Sequence, residues 1–364
     1  MLTSSAAYKI ARRQSYHLIS RFTSRMPDGT LLAQNIPIGG GSVRAQLASR
    51  VTRTATFSAS DEWFPVSETD PLSPAHAIVT IETGLEYPTG EQEFFPVFTG
   101  RVYDAVRGRD GQVTFRADDL AAEVLAADFE RPVNSQRGGS CVAEIQRLIT
   151  DGWPTATFGS DDVDDAVVPA LSWDDDRGKA CDDLAEVVEA RWFALGDGDF
   201  VVRRYAYTDL TPVVTLLDGP AGDLTSAKTT VTADGAFNSV VVTSERVDGG
   251  DPIRVVERNL NSLSPYRYGG PFGKRVRKIR SQASLAVSEA QRVARSQLAA
   301  ASALTRQWDI DMIPDMSLEP GDVVAVEWRD VKDVQVIDNI TYPLSPTASM
   351  KLNTRSSIST GSVA

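Results

Sequence analysis

Hydrophobic and polar residues alternate over residues 43–59, where most odd positions are apolar and most even positions are arginine, glutamine, threonine or serine. A period of two is typical of a strand with one buried face, so this stretch predicts one long strand or two strands end to end. Residues 94–106 and 112–117 are rich in β-branched and aromatic residues and flank a glycine-containing loop, which predicts a hairpin. Upstream, the Pro-Asp-Gly turn at 27–29 indicates an N-terminal arm and a first hairpin within 1–42.

The pattern changes to a helical period between residues 118 and 195. Residues 118–127 have helical composition, with acidic residues in the first turn, where the helix dipole favours them. Ser140 is a candidate N-cap for a helix with Ile145 and Leu148 on one face, and a second apolar stripe contains Cys181 and Leu184. Two short strands around Gly-Asp-Gly at 196–198 follow. We therefore expect a small α/β module over 128–207.

Strand patterns return after residue 208 and are interrupted by one predicted helix. The capping-box pattern Ser288-x-x-Gln291 opens a helix over 288–306, and Pro320-Gly321 predicts a type II turn before the last strands. The predicted domains are an arm and hairpin (1–42), a first β domain (43–127), the α/β module (128–207), a second β domain (208–355) and a flexible tail (356–364). The predicted fold class is α+β, mainly β.

Composition narrows the possible classes of function. The 364 residues include 37 Lys and Arg against 49 Asp and Glu, a net charge of −12, and 42% are hydrophobic, which is typical of a globular protein. The acidic balance argues against a nucleic-acid-binding protein, whose affinity comes mainly from cations on phosphate. No window is long and apolar enough for a membrane span, and the N-terminal residues do not resemble a secretory signal, so signal-peptide export is not expected.

Candidate catalytic and metal-binding chemistry is sparse. Cys141 and Cys181 lie at apolar positions of predicted helices, where buried free thiols are common. His17 and His76 are the only histidines, and neither a Cys-x-x-Cys pair nor a nucleophile elbow occurs. We therefore predict no catalytic residue, cofactor or metal site, and no enzymatic activity. A carboxylate pair for glycoside cleavage stays open, because its spacing is spatial and not sequential.

Two charged stretches are candidates for interaction. The acidic loop contains Asp161, Asp162, Asp164 and Asp165, which could hold calcium but lack the EF-hand spacing, so a solvated loop is favoured. The basic stretch 274–280 contains Arg275, Arg277 and Arg280 alternating with apolar residues, which favours an exposed strand over a nucleic-acid patch.

Three segments together resemble the hub proteins at the tail tip or baseplate of tailed bacteriophages, especially minor tail proteins of long-tailed phages of actinobacteria. The first runs from Phe98-Thr-Gly-Arg-Val-Tyr-Asp to Ala117-Asp-Asp, and the second is 177–204, with Arg-Trp-Phe before Gly-Asp-Gly. The third joins Asn238-Ser-Val-Val-Val, the stretch 261–273 and Ile313-Pro-Asp-Met-Ser-Leu-Glu-Pro-Gly-Asp-Val-Val. These motifs cover most of residues 43–352 and are turn and packing signatures.

The resemblance implies a structural role. It implies that 43–127 and 208–355 are β-barrel-like hub domains, and that a homotrimer presents six of them to adapt the six-fold tail tube to a three-fold tip. The implied partners are the distal tail protein ring, the tail tube, the tape measure protein and spike, fibre or receptor-binding proteins. DNA would leave through the ring without specific binding. The implied location is the virion tail tip, after synthesis in the host cytoplasm.

This resemblance suggests one role for each of the two charged stretches. The four aspartates of 161–165 would face the lumen or lie in solvated loops, since an acidic wall lets DNA slide. Arg275, Arg277 and Arg280 would pair with acids across a subunit boundary. Two other functions are alternatives: a hexameric distal-tail or other minor tail protein, and a glycan-binding or glycan-cleaving β protein.

Overall fold

The structure is a computed structural model with a mainly β, α+β fold, which confirms the predicted fold class. It describes residues 1–14, 16–109, 111–204, 211–220, 222–244, 250–281, 286–301, 305–329 and 331–356. The predicted tail at 356–364 therefore lies, except for its first residue, outside the described residues.

Three stretches of chain contain the helices and strands. The first comprises α1 (Ala6–Ala11), β1 (His17–Arg25), β2 (Leu31–Gln34), β3 (Ile38–Gln46), β4 (Arg53–Ser60), β5 (Ile78–Glu86), β6 (Gln92–Arg107), β7 (Gln112–Asp119) and α2 (Ala121–Ala126). The second comprises β8 (Val133–Asn134), α3 (Cys141–Gly152), β9 (Ser172–Trp173), α4 (Arg177–Val187), β10 (Ala190–Ala194) and β11 (Phe200–Arg204). The third comprises β12 (Val214–Leu217), β13 (Leu224–Thr232), β14 (Ser239–Ser244), β15 (Ile253–Arg258), β16 (Val276–Ser281), α5 (Val287–Ala301), β17 (Thr305–Met312), β18 (Val323–Trp328), β19 (Val331–Pro343) and β20 (Met350–Ser356).

Two compact units make up the chain. Unit 1 is Met1–Lys228 with Asp309–Thr354, and unit 2 is Thr229–Trp308 with Arg355–Ala364. Unit 1 thus contains the predicted first β domain, the predicted α/β module and part of the predicted second β domain. The domain boundaries predicted from the sequence do not coincide with the boundaries of these units.

The alternating stretch at 43–59 forms two strands that lie side by side. β3 and β4 are antiparallel, and Val43 pairs with Ala55 across them. Odd-numbered residues of β3 pair with odd-numbered residues of β4, so the buried side chains of both strands, including Phe57, are the odd-numbered ones. The expectation of two strands end to end was wrong because the chain turns back between them. The Phe57 ring stacks on Phe115 with 5.1 Å between centroids.

One sheet in unit 1 contains strands from both predicted β blocks. β19 pairs antiparallel with β3, which places Tyr342 opposite Val43. Beyond β3 the order is β4, β7, β6, β5, β1 and β2, and β19 also pairs with β18, which pairs with β12. Before β18, Glu319 accepts the backbone N–H of Asp322 and Gly321 has a φ of +93°, as the predicted type II turn requires.

The α/β part of unit 1 has a hydrophobic cluster formed by α2, α3, α4, β10 and β11. Ser140 caps α3 as predicted, since its hydroxyl accepts the N–H of Ala143 at 3.0 Å. The helix predicted over 118–127 is shorter, because its first acids end strand β7. Asp119 is buried and accepts the N–H of Arg53 at 2.7 Å and the N–H of Ala121, the first residue of α2, at 3.1 Å, so it links β4 to the start of this helix.

The N-terminal arm contains a helix that the sequence pattern did not predict. In α1 the hydroxyl of Tyr8 accepts the N–H of Met316 at 2.7 Å, and Tyr8 is fully buried. Arg12, at the end of this helix, forms buried ion pairs with Asp223 at 2.7 Å and Asp315 at 3.3 Å. These contacts fasten the arm to segments more than 200 residues away in sequence.

Unit 2 contains a three-stranded sheet in the order β15, β14, β16, with α5 on one face. β14 is antiparallel to β15 and parallel to β16. Val240, Val242 and Val255 pack against Ala290 and Ala294 of α5. The helix begins at Val287 and ends at Ala301, so the predicted range 288–306 was too long at its end, where 302–304 lie outside the described residues and strand β17 begins at Thr305. Ser288 lies inside the first turn and not at the cap.

Candidate functional site

The predicted basic strand exists, and it is an edge strand of the unit 2 sheet. Arg277 and Arg280 lie on β16, and Arg275 immediately precedes it. Successive residues of a strand point to opposite faces, so Arg277 shares the α5 face with the packed residue Ile279, whereas Arg280 lies on the other face. The guanidinium of Arg275 lies 4.6 Å from the centroid of the Phe272 ring and donates to the carbonyl of Ala233 at 3.3 Å. The three arginines therefore do not form one cluster.

The face of this sheet opposite α5 is exposed and positively charged on both outer strands. Val241 of the central strand β14 pairs with Val256 of β15 on one side and with Lys278 of β16 on the other, so these three residues form one row across the sheet. In the next row, Thr243 pairs with Arg254 on one side and with Arg280 on the other. We call this surface the cationic face, and its exposed residues are Arg254, Val256, Arg258, Val276, Lys278 and Arg280. Val256 and Val276 are 40% and 41% exposed, so cations surround two half-exposed apolar side chains.

A structured loop at 259–274 adjoins this sheet. The N–H of Tyr268 donates to the carbonyl of Asn259 at 2.8 Å, and the Tyr266 and Phe272 rings meet edge to face. Leu260 and Leu263 are 70% and 90% exposed on this loop. Sequence reasoning did not identify these leucines, although two leucines among asparagine and serine in a turn-rich segment are the available signal.

The acidic loop of unit 1 has mixed roles. Asp161 accepts the N–H of Val202 at 2.6 Å, and Asp165 accepts the N–H of Val142 at 3.2 Å, so both carboxylates hold backbone. Partial burial opposes ionisation of Asp165, but hydrogen bonds to its carboxylate outweigh it and lower its pKa. Asp164 is 90% exposed and pairs with Arg204 at 2.8 Å. Asp162 is exposed. Asp165 is exposed as well, and Asp161 is half-buried. The four residues do not act as one site, because Asp161 and Asp165 bind backbone N–H groups, Asp164 pairs with Arg204, and Asp162 is simply exposed.

The groups that could support chemistry are buried or scattered. Cys141 and Cys181 are free and buried, as the sequence predicts. Burial raises the pKa of Cys141 to about 11 and also raises the pKa of Cys181, so both thiols are protonated at neutral pH. Among the described residues, no three or more His, Cys, Asp or Glu side chains come together as a candidate metal site.

The helices offer no candidate for a membrane span. Within the part of the chain that the structure describes, none is both long enough and apolar enough to cross a bilayer.

Comparisons with known proteins give matches in structure only. No protein-family model and no functionally curated protein matches this sequence. A tail protein from Neisseria meningitidis has a similar structure, with a TM-score of 0.65 and 15% identity over 93% of this chain and 96% of that chain. The 43 kDa tail protein of prophage MuSo2 from Shewanella oneidensis has a TM-score of 0.60 and 12% identity, over 92% of this chain and 98% of that chain.

A third similar structure comes from another bacterium. The prophage tail protein gp18 from Listeria monocytogenes gives a TM-score of 0.57 and 8% identity, over 92% of this chain and 94% of that one. The similarity in each case includes nearly the whole of both chains. This chain therefore has the fold of these tail proteins over more than nine-tenths of its length.

Proposed function

We propose that this chain is a non-enzymatic structural subunit of a bacteriophage tail, at the baseplate or tail-tip hub. The observation that carries the proposal is the shared fold with three tail proteins, over more than nine-tenths of every chain. The sequence resemblance to hub proteins supports the same conclusion independently of these comparisons. The narrower resemblance to minor tail proteins of long-tailed actinobacterial phages stays a prediction.

In the proposed assembly three copies form a ring at the virion tail tip. The two β blocks of each copy are the barrel-like hub domains, so six blocks face the six-fold tail tube and the ring presents three-fold symmetry to the tip. Its partners are the distal tail ring, the tail tube, the tape measure protein and the spike, fibre or receptor-binding proteins. The sheet pairing between β19 and β3 supports this proposal because it joins strands of the two blocks in one sheet of unit 1.

DNA leaves through this ring without specific binding. The net charge of −12 supports that role, since a cationic wall would bind phosphate and retain the DNA. Asp162, Asp164 and Asp165 are the exposed members of the acidic loop and are the candidates to face the lumen. A reconstructed ring whose channel surface is net basic would contradict this part of the proposal.

Single-particle electron microscopy of the concentrated protein tests the assembly. We expect a three-fold ring with a central channel. A six-fold ring would instead support a distal-tail or other minor tail protein. Compact monomers that bind purified cell-wall glycan would overturn the hub proposal in favour of a glycan-binding or glycan-cleaving protein.

A further inference from the structure

Charge is divided unequally between the two units. Residues of unit 2 include 13 Lys and Arg against six Asp and Glu, a net charge of +7. Unit 1 holds the other 24 basic and 43 acidic residues, a net charge of −19. Oppositely charged regions of this size attract one another between molecules and repel their own kind. The overall charge of −12 conceals this separation.

The cationic face gathers several positive charges of unit 2 that lack a partner among the described residues. Arg254, Lys278 and Arg280 are exposed and form no ion pair among the described residues. On the opposite side of the sheet, by contrast, Glu257 pairs with Arg295 at 3.1 Å. Arg258 also lies on the cationic face, and its guanidinium lies 5.0 Å from the centroid of the Tyr268 ring, which leaves its charge available. Four cations on one small sheet face repel each other, and an acidic partner would remove that repulsion.

We propose that the cationic face of unit 2 is an intersubunit contact that binds acidic residues of a second copy of this chain. A second copy provides the complementary charge, because its unit 1 is strongly acidic. The half-exposed Val256 and Val276 favour a protein partner over a nucleic acid, since they offer apolar contact area and no interaction with phosphate. This inference rests on the proposed function, because it identifies one surface that would hold the ring together.

Such a contact joins two different surfaces of the same protein. A contact of this heterologous kind forms a closed ring when its rotation closes, and a filament when it does not. Its strength falls as salt concentration rises, because the exposed charges are screened. The resulting signature is association that weakens with salt and depends on two residues of a single edge strand.

Charge reversal on β16 with a matched control tests the proposal. The double variant Lys278→Glu/Arg280→Glu changes the cationic face, and Arg277→Glu makes the same type of change on the opposite face of the same strand. Sedimentation velocity over a range of protein and salt concentrations measures association. We expect at least tenfold weaker association for the double variant and less than twofold change for Arg277→Glu. Circular dichroism checks that each variant folds, and Lys278→Ser/Arg280→Ser replaces any variant that does not.

Crosslinking identifies the partner surface. In a mixture of ¹⁴N-labelled and ¹⁵N-labelled protein, a carbodiimide joins the Lys278 amine to a nearby carboxylate as an amide. We expect mixed-isotope peptides that link Lys278 to an acidic residue of 1–228 or 309–354. Links only within one isotope would contradict an intermolecular contact.

Each remaining outcome has a distinct meaning. If the protein assembles but the double variant assembles equally well, the cationic face is not the contact, while the hub proposal stands. If the wild-type protein does not associate at any accessible concentration, the inference is overturned and the proposed ring loses support as well. If a fluorescent DNA duplex binds the wild type and not the double variant, the face binds nucleic acid and the inference is wrong.

Discussion

The buried ion pair between Arg53 and Glu319 is the contact whose removal we expect to destabilise the protein most. Arg53 lies on β4 and Glu319 precedes β18, so the pair joins the two β blocks of unit 1. The guanidinium donates to Oε1 of Glu319 at 2.8 Å and to the carbonyl of Val97 at 3.1 Å. Both side chains are at least 90% buried. Burial alone would lower the pKa of Arg53, but the Glu319 carboxylate and Tyr342 outweigh it and raise that pKa.

The substitution Glu319→Leu removes the carboxylate and leaves the buried Arg53 guanidinium without its direct ion-pair partner. Breaking a buried pair on one side costs about 3–5 kcal/mol, mostly as desolvation of the remaining charge. We expect a loss of at least ~3 kcal/mol in the free energy of unfolding, which is a large part of the roughly 5–15 kcal/mol typical of a folded protein. The Nε of Arg53 already lacks a hydrogen-bond partner, and the Val97 carbonyl that accepts from Nη1 carries no full negative charge, so it does not replace the carboxylate.

Urea unfolding followed by tryptophan fluorescence measures this effect. The double variant Arg53→Met/Glu319→Leu removes both charges, and we expect it to recover at least ~2 kcal/mol relative to Glu319→Leu, because no unpaired charge remains. Lys332→Ala removes one member of an exposed pair with Glu327 and is the control, with an expected change below about 1 kcal/mol. A Glu319→Leu change no larger than that of the control would refute the reasoning, as would a double variant less stable than Glu319→Leu.

Three further predictions concern buried groups and a helix cap. Burial raises the pKa of Asp119 to about 6, so its protonated form stabilises the fold at low pH and this contribution falls as pH rises from about 4 to 6. Relative to Asp119→Asn, wild-type stability should therefore decrease by ~2 kcal/mol over that range in denaturant titrations, and a pH-independent difference would contradict the assignment. Cys141 and Cys181 should react with a thiol reagent only after unfolding, since both thiols are buried and protonated, and rapid labelling of the native protein would exclude this. Ser140→Ala should cost about 1 kcal/mol in thermal or chemical unfolding by removing the cap of α3, whereas Ser140→Asp should cost less.

The sequence determined most of the local structure. A period of two along 43–59 predicted strand structure, because only alternate positions of a half-buried strand must be apolar, and the β-rich segments around the glycine-containing loop at 94–117 predicted a hairpin. The Ser140 cap and the Pro320-Gly321 turn were predictable because each depends on the chemistry of a few adjacent residues. The basic stretch before residue 281 was predictable as an exposed strand for the same reason.

The tertiary structure alone decided which distant segments meet. Helix α1 is short and has no sequence pattern of its own, and it is held by contacts of Tyr8 and Arg12 with residues more than 200 positions away. Asp119 is a residue type expected in the first turn of a helix, but it is the last residue of strand β7. Its carboxylate accepts the backbone N–H of Arg53, which is 66 residues away in the sequence. Such pairings depend on the path of the whole chain, which local periodicity does not contain.

The same division applies to the candidate interaction surface. Sequence indicated that Arg275, Arg277 and Arg280 belong to one basic strand, but the pairing of β16 with β14 places Arg277 and Arg280 on opposite faces. The pairing of β14 with both outer strands also places Lys278 and Arg280 on the same face as Arg254, which lies on the other outer strand and more than 20 residues earlier in the chain. Charge content and strand period are properties of the sequence, because each residue contributes to them locally. Which charges share a face is a property of the fold, because the sheet brings together strands that are separate in the chain.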